Sequence, residues 1–316
     1  MSPAGTIVLI LGTLIGVLSA AALLIWVERR GLALLQDRLG PNRVGPLGLV
    51  QPLADMVKIM LKEDWIPPQA DRAVFVLAPM LVLGGTLATF AVVAAGPGLA
   101  IADLNVGLLA FLALSSLGVY GVALAGWSSN NKYSLLGSLR AASQMVSYEV
   151  FMGLALGGVV LMAGSFNLTE IVEAQRWVWF CVPQAAGLAI FLVAALAETR
   201  RLPFDLPEAE NELVAGYHSE YSGMKFAMFF VGEYVGITLI AALVTTFYLG
   251  GWLGPWLPPV AWFVAKTAVV VCGFIVLRAA LPRPRFDQVT ALGWRVCLPL
   301  AIVNLLVTGG VLLALE

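Results

Sequence analysis

The chain has 316 residues, of which 60% are hydrophobic and 12% charged, and its formal net charge is −1. Soluble domains carry roughly 25% charged residues, so these proportions exclude an ordinary soluble enzyme, and the absence of a basic excess excludes a nucleic-acid binder. With a mean hydropathy of +0.92, the composition points to an all-α polytopic membrane protein with about eight transmembrane helices and no separate soluble domain.

A membrane span needs about 20 mostly apolar residues. In chain order the candidates are Gly5 to Val27, Val74 to Ala95, Val106 to Ala125, Met145 to Ala163, Val182 to Ala197, Phe226 to Leu249, Val260 to Leu277 and Val296 to Leu315. The first has no basic leader and runs on to Glu28-Arg29-Arg30, which reads as an uncleaved span. Lys and Arg favour cytoplasmic loops. Sixteen of the eighteen basic residues fall in alternate connections, leaving only Arg176 on the opposite side and Lys266 within span seven. With an even number of spans, this pattern places both termini outside the cytoplasm.

The first cytoplasmic loop, residues 28–72, opens with a Gly/Pro run, Arg38 to Gly48, that forbids regular helix. It continues as a short helix in which Leu49, Leu53, Met56, Val57 and Met60 share a face, while Asp55, Lys58 and Lys62 take others. Too short to span, this segment reads as an amphipathic helix at the interface. The third connection, Trp127 to Gln144, is rich in Ser, Asn and Gly and suggests turns. The basic run Leu281 to Gln288 suits anionic headgroups or a soluble partner.

Seven acids fall between Glu198 and Glu233: Glu198, Asp205, Glu208, Glu210, Glu212, Glu220 and Glu233. Glu149 lies about 9 Å into span four if that span begins near Ser143, and Glu233 about 13 Å into span six if that begins near Met224. A carboxylate at such depth is costly and faces a bundle interior or water-filled cavity, most commonly for proton transfer, although pairing with Lys266 or a tyrosine would also hold it. Pro207 suits the start of a helix, which would put Glu208 and Glu212 on one face, where like charges can share protons. A plain solvated acidic loop, residues 198–225, would have the same composition. His218, the single histidine, is a further relay candidate. Cys181, Cys272 and Cys297 are scattered, and no spacing suggests a metal or nucleotide held by this chain.

Four stretches carry a resemblance: ERRGLALLQDRLGPNRVGPLGLVQPLADMVKIMLKEDW, GWSSNNKYSLLGSLRAASQMVSYE, AETRRLPFDLPEAENELVAGYHSEYSGMKFAMFFVGEY and LPRPRFDQ. In this order they closely resemble the H-subunit family of bacterial proton-pumping NADH:quinone oxidoreductase, respiratory complex I, over nearly the whole chain. The resemblance implies a membrane component without a redox cofactor of its own, joining a hydrophilic arm to other membrane-arm subunits, with NADH, FMN and iron–sulfur clusters in the partner subunits and quinone as substrate. By motif match, Glu28, Arg29, Arg43, Asp55 and Lys58 would shape the quinone chamber, while Glu149, Glu198, Asp205, Glu208, Glu210, Glu212, Glu220 and Glu233 would form an acidic proton path. Arg200 and Arg201 depart from the family pattern and could lock Glu198 in an ion pair. The homologous membrane subunit of a membrane-bound hydrogenase or formate hydrogenlyase is the alternative. An autonomous transporter would call for two similar halves with interrupted helices, and the sequence has no such repeat.

Overall fold

The computed structural model describes residues 3–207, 212 and 214–315. Among them are seven helices long and apolar enough to cross a membrane, a shorter apolar helix, and no strand. The chain is a polytopic all-α membrane protein.

Helix α1, Pro3–Leu35, has 33 residues, about 50 Å at 1.5 Å per residue. That exceeds the roughly 30 Å hydrocarbon layer, so its last turns, bearing Glu28, Arg29 and Arg30, reach the membrane edge. There the Gly/Pro run folds back onto the helix: Trp26 Nε1 and Arg30 donate to the Leu47 carbonyl at 3.0 and 2.9 Å. Gly48 makes this close return possible. Its φ is +76°, and a Cβ there would lie 2.2 Å from the Pro41 carbonyl oxygen. The run leads into α2, Gln51–Met60, none of whose residues is buried in this chain.

Helices α3, Arg72–Thr89, and α4, Gly107–Ser128, form a tight antiparallel pair. Asp71 caps α3 by accepting from the Ala73 and Val74 amides at 3.1 and 3.3 Å, and its own amide donates to Ser128 O at 3.1 Å. A Cβ on Gly121 would lie 2.5 Å from a Val82 methyl, the close small-residue approach on which helix pairs in lipid depend.

Helix α5, Lys132–Ala163, begins earlier than the sequence suggests. Its Ser- and Gly-rich first turns read as turn-forming, yet Asn131 caps them through the Tyr133 amide. The small residues serve packing instead: Ser138 lies against Gly126, and Gly137 against the backbone of Gly216 and Tyr217. The hydroxyls of Ser138, Ser143 and Ser147 are satisfied by carbonyls of the preceding turn.

A short helix α6, Leu168–Ala174, precedes α7, Ala185–Glu198, which corresponds to the fifth expected span. Its 14 residues rise only about 21 Å, and the residues before it are turns. Those turns are hydrogen-bonded, as irregular backbone in a membrane bundle must be: Cys181 N donates to Tyr248 O at 2.8 Å, and Gln184 Nε2 to Thr308 Oγ1 at 2.7 Å.

Helix α8, Gly223–Tyr248, is the hub, with every residue from Leu239 to Tyr248 buried. It packs against α1, α3 and α9, Pro259–Ala280. Beyond α9, α10, Phe286–Leu292, runs through a π-helical segment, Gly293–Cys297, into α11, Leu298–Leu315.

Ion pairs separate the two ends of the bundle. Connections α1–α3, α4–α5, α7–α8 and α9–α10 lie at one end, joined to one another and to the adjoining helix turns by the ion pairs Lys225–Asp64, Arg140–Glu212 and Arg283–Asp205 and by the hydrogen bond from Asn131 to Glu220. Connections α3–α4, α5–α7 and α8–α9 meet at the other end through neutral bonds and Asp103, which accepts from Asn167 at 2.9 Å.

Candidate functional site

Successive residues of a helix point about 100° apart, and at the end of α1 this splits Glu28 from Arg29. Glu28 is buried and turns into the bundle; Arg29 turns outward to α2. Inside, Arg201 donates to Glu28 Oε1 at 2.8 Å and is also paired with Glu233 on α8, while Arg278 from the end of α9 pairs with Glu28. The Arg201 guanidinium also stacks 4.4 Å from the centroid of Tyr234. Two arginines and two carboxylates from four separate parts of the chain thus form one closely balanced group, buried except for the partly exposed Arg278. Arg201 therefore does not lock Glu198, as the sequence alone suggested it could.

The group sits between cavities. On one side, a cavity of about 230 Å³ is lined by Arg200, Arg201, Asp205, Tyr217, His218, Phe226, Phe230, Glu233 and Tyr234. On the other, a cavity of about 60 Å³ is lined by Thr86, Thr89, Ser115, Met145, Glu198 and Glu233, which is room for a few waters. Glu233 borders both. Glu198 interacts electrostatically with Glu149 and Arg200, and among the described residues Glu149 Oε1 and Glu198 Oε2 are buried without a hydrogen-bond partner.

The remaining acids divide by depth. Asp205 accepts from Arg283 at 2.5 Å and acts electrostatically on Glu233. Glu212 pairs with Arg140 at 2.6 Å, and Glu220 accepts from Asn131 at 2.6 Å. These two lie on the loop surface, away from the cavities. Glu208 and Glu210 lie outside the described residues, while Pro207, the expected first helical residue, is buried in a turn.

Of the five residues expected at the chamber, three form a second cluster. Arg29 pairs with Asp55 at 2.6 Å, Gln51 donates to Asp55 at 3.0 Å, and Lys58 approaches Asp55 to 3.9 Å. Arg43 is exposed on the Gly/Pro run. The apolar face of α2, including Leu53, Met56, Val57 and Met60, is exposed beside this cluster. Lys266 is not a partner of Glu149 or Glu233; it bonds loop carbonyls at the opposite end.

His218 lies in the α7–α8 connection between the rings of Tyr217 and Phe226. Burial, reinforced by the positive charge of Arg200, pushes its pKa down to about 4. A histidine that stays neutral throughout the physiological range is poorly suited to shuttle protons as imidazolium. In the unfolded chain it titrates near 6.5, so between about pH 6.5 and 4 the unfolded state binds a proton that the native state refuses, and stability falls as pH falls. At pH 5 this amounts to about 2 kcal/mol. Thermal unfolding at pH 7 and pH 5 should therefore differ less in His218→Gln than in wild type; equal differences would rule out this titration.

Residues 8–309 match the family described as NADH dehydrogenase. The H subunit of NADH-quinone oxidoreductase from Methylococcus capsulatus is 62% identical over 308 residues, covering 97% of this chain and 98% of that protein. The chain belongs to the NADH dehydrogenase family.

The family match runs from the first turns of α1 to the last turns of α11 and encloses both clusters. Two members of the buried group were not singled out as site residues from sequence. Arg278 reads as an ordinary basic residue at the end of a span, and Arg201 as a neighbour of Glu198. The available signal was charge balance: Glu28 stands at the end of one span and Glu233 well inside another, in a family member with very few membrane charges, and each needs a cation.

Proposed function

We propose that this chain forms the quinone chamber of an NADH:quinone oxidoreductase and couples quinone reduction to proton translocation. The observation that carries this reading is Arg201, which joins Glu28, next to the Arg29–Asp55 cluster, to Glu233, which borders both cavities. On this reading Asp55, Arg29, Lys58 and Arg43 shape the mouth on the cytoplasmic side, and the exposed face of α2 meets the isoprenoid tail. Both termini then lie on the non-cytoplasmic side, the connection 198–225 is cytoplasmic, and the partners are the quinone-reducing subunits of the hydrophilic arm and further membrane-arm subunits, with FMN and iron–sulfur clusters carried outside this chain.

Quinone reduction consumes two protons and two electrons. The quinol formed carries no net charge, so the charge facing Glu28 changes only as the protons are drawn from groups around the chamber. Protonation of either Glu28 or Glu233 leaves Arg201 with one carboxylate partner instead of two, so the protonation states of the two acids are linked through a single guanidinium. Glu233, then Glu198 and Glu149, would carry that change along α8 and α5 into the membrane. Asp205 supplies a second acid beside Glu233 and could exchange protons with the larger cavity, together with Glu208, Glu210, Glu212 and Glu220 on the loop.

The Arg29–Asp55 pair offers a clean test. Arg29 and Asp55 side chains are 43% and 20% exposed, and such a pair contributes only about 0–1 kcal/mol. Asp55→Asn should therefore leave assembly intact, while quinone reduction falls about tenfold and NADH oxidation by an artificial acceptor on the hydrophilic arm is unchanged. Equal losses in both assays would assign Asp55 to assembly. The identity to the Methylococcus capsulatus protein favours this reading over a hydrogenase subunit; co-purification of a nickel-containing large subunit would reverse that choice.

A further inference from the structure

Lys266 is a basic residue inside a span that the acidic clusters do not use. It lies two turns into α9 and is 7% exposed. Its ammonium donates to three backbone carbonyls, Leu249 at 2.6 Å, Gly251 at 3.1 Å and Leu253 at 2.6 Å. It also lies 4.2 Å from the ring centroid of Trp179 and 5.7 Å from that of Trp262. No carboxylate is among its partners in the described residues, so carbonyl dipoles and aromatic faces hold the charge.

The local sequence builds this arrangement. Leu249 caps α8, whose carbonyl end carries the negative pole of the helix. Gly250 and Gly251 follow with φ of +70° and +50°, a left-handed pair that lets alternate carbonyls converge. A Cβ on Gly250 would lie 2.9 Å from Trp179, and one on Gly251 2.7 Å from Val172, so the turn is pressed against the ring that faces the lysine. Gln175 fixes it further by accepting from the Gly250 amide at 2.9 Å. An ammonium has three donors, and here each has a carbonyl. Tryptophan faces attract ammonium groups, and converging carbonyl oxygens can replace the hydration shell of a small monovalent cation.

We propose that the α8–α9 turn is a binding site for a small primary ammonium ion, occupied in this protein by its own Lys266. The intramolecular ligand ties α9 to the last turn of α8 and thereby fixes the outer end of the helix that bears Glu233. The cage is independent of the acids and of the proposed coupling role, because its contacts are all at the opposite end of the bundle.

The test uses the intact membrane complex carrying a tag on this chain, and reads the temperature at which half the tagged chain is lost from the soluble detergent fraction. Lys266→Ala empties the cage and should lower that midpoint by several degrees. Methylammonium chloride at tens of millimolar should recover at least half the loss, whereas tetramethylammonium chloride, which has no N–H donors, should not. Wild type and Lys266→Met, in which a thioether fills the cage, should not respond to methylammonium. Equal response to both salts, or a Lys266→Ala complex as stable as wild type, would overturn the proposal. Should Lys266→Ala fail to accumulate, Lys266→Arg should accumulate well above Lys266→Met; equal amounts of those two would also overturn it.

Discussion

Arg201→Met should be the most damaging single change in the buried charge group. Arg201 serves Glu28 and Glu233 together, and all three side chains are largely buried. Removing one partner of a buried pair costs about 3–5 kcal/mol, because the remaining charge is left uncompensated. Arg278 still reaches Glu28, so most of the penalty falls on Glu233. Less chain should accumulate in membranes, and the thermal midpoint of what remains should fall by several degrees. Adding Glu233→Gln should return part of the loss, since a neutral amide no longer needs the cation. An Arg201→Met protein as stable as wild type, or a double variant less stable than the single, would mean that the group is not a balanced unit. Arg201→Lys is not a rescue on this account: one ammonium lacks the fork that addresses two carboxylates at once.

Glu149→Gln should behave in the opposite way, with assembly unchanged and coupling impaired. Its Oε1 is buried without a partner among the described residues, so a neutral amide of the same shape removes little that holds the fold together. If the carboxyl passes protons between Glu198 and the interior of the bundle, the amide interrupts that passage. The rate of proton translocation in reconstituted vesicles should drop several-fold in Glu149→Gln and in Glu198→Gln, with quinone reduction falling to a similar extent only if the two steps are strictly linked. An unchanged rate of proton translocation in both variants would remove these acids from the path.

Much of the fold is legible from hydropathy because lipid admits so few solutions for the backbone. The spans at α4, α8 and α9 follow their apolar runs closely, whereas α1 runs on to Leu35, past the expected Val27, and α3 ends at Thr89, short of the expected Ala95. The beginning of α5 does not, since Ser and Gly have poor helix propensity and their value there is the close approach of Gly137 to Gly216, a contact between distant parts of the chain that no local pattern contains. The fifth span is an apolar run whose first part is turn and whose last 14 residues are helix; apolarity alone does not distinguish them.

At the candidate site, the sequence indicates which residues carry charge, and the structure determines which of them meet. Glu28 and Arg29 are neighbours in the chain and belong to different clusters. Arg200 and Arg201 are neighbours as well, yet Arg200 lies over Tyr217 while Arg201 reaches α1 and α8. The spacing of Asp55 and Lys58 correctly places them on one helix, but the stronger partner of Asp55, Arg29, is 26 residues away.

The span of the Arg201 contact also bears on how the chain is made. Glu28 precedes Arg201 by 173 residues, and ribosomes add roughly 5–20 residues per second. The first helix is therefore released on the order of ten to thirty seconds before the guanidinium that will hold its acid exists, and Arg278 comes later still. During that interval Glu28 has no built-in counter-charge and must wait in water at the membrane edge. Its place at the very end of the apolar run, rather than a turn or two deeper, is what makes the delay tolerable. Insertion of α1 and burial of Glu28 are thus separate events in biogenesis, the second awaiting synthesis of the α7–α9 region.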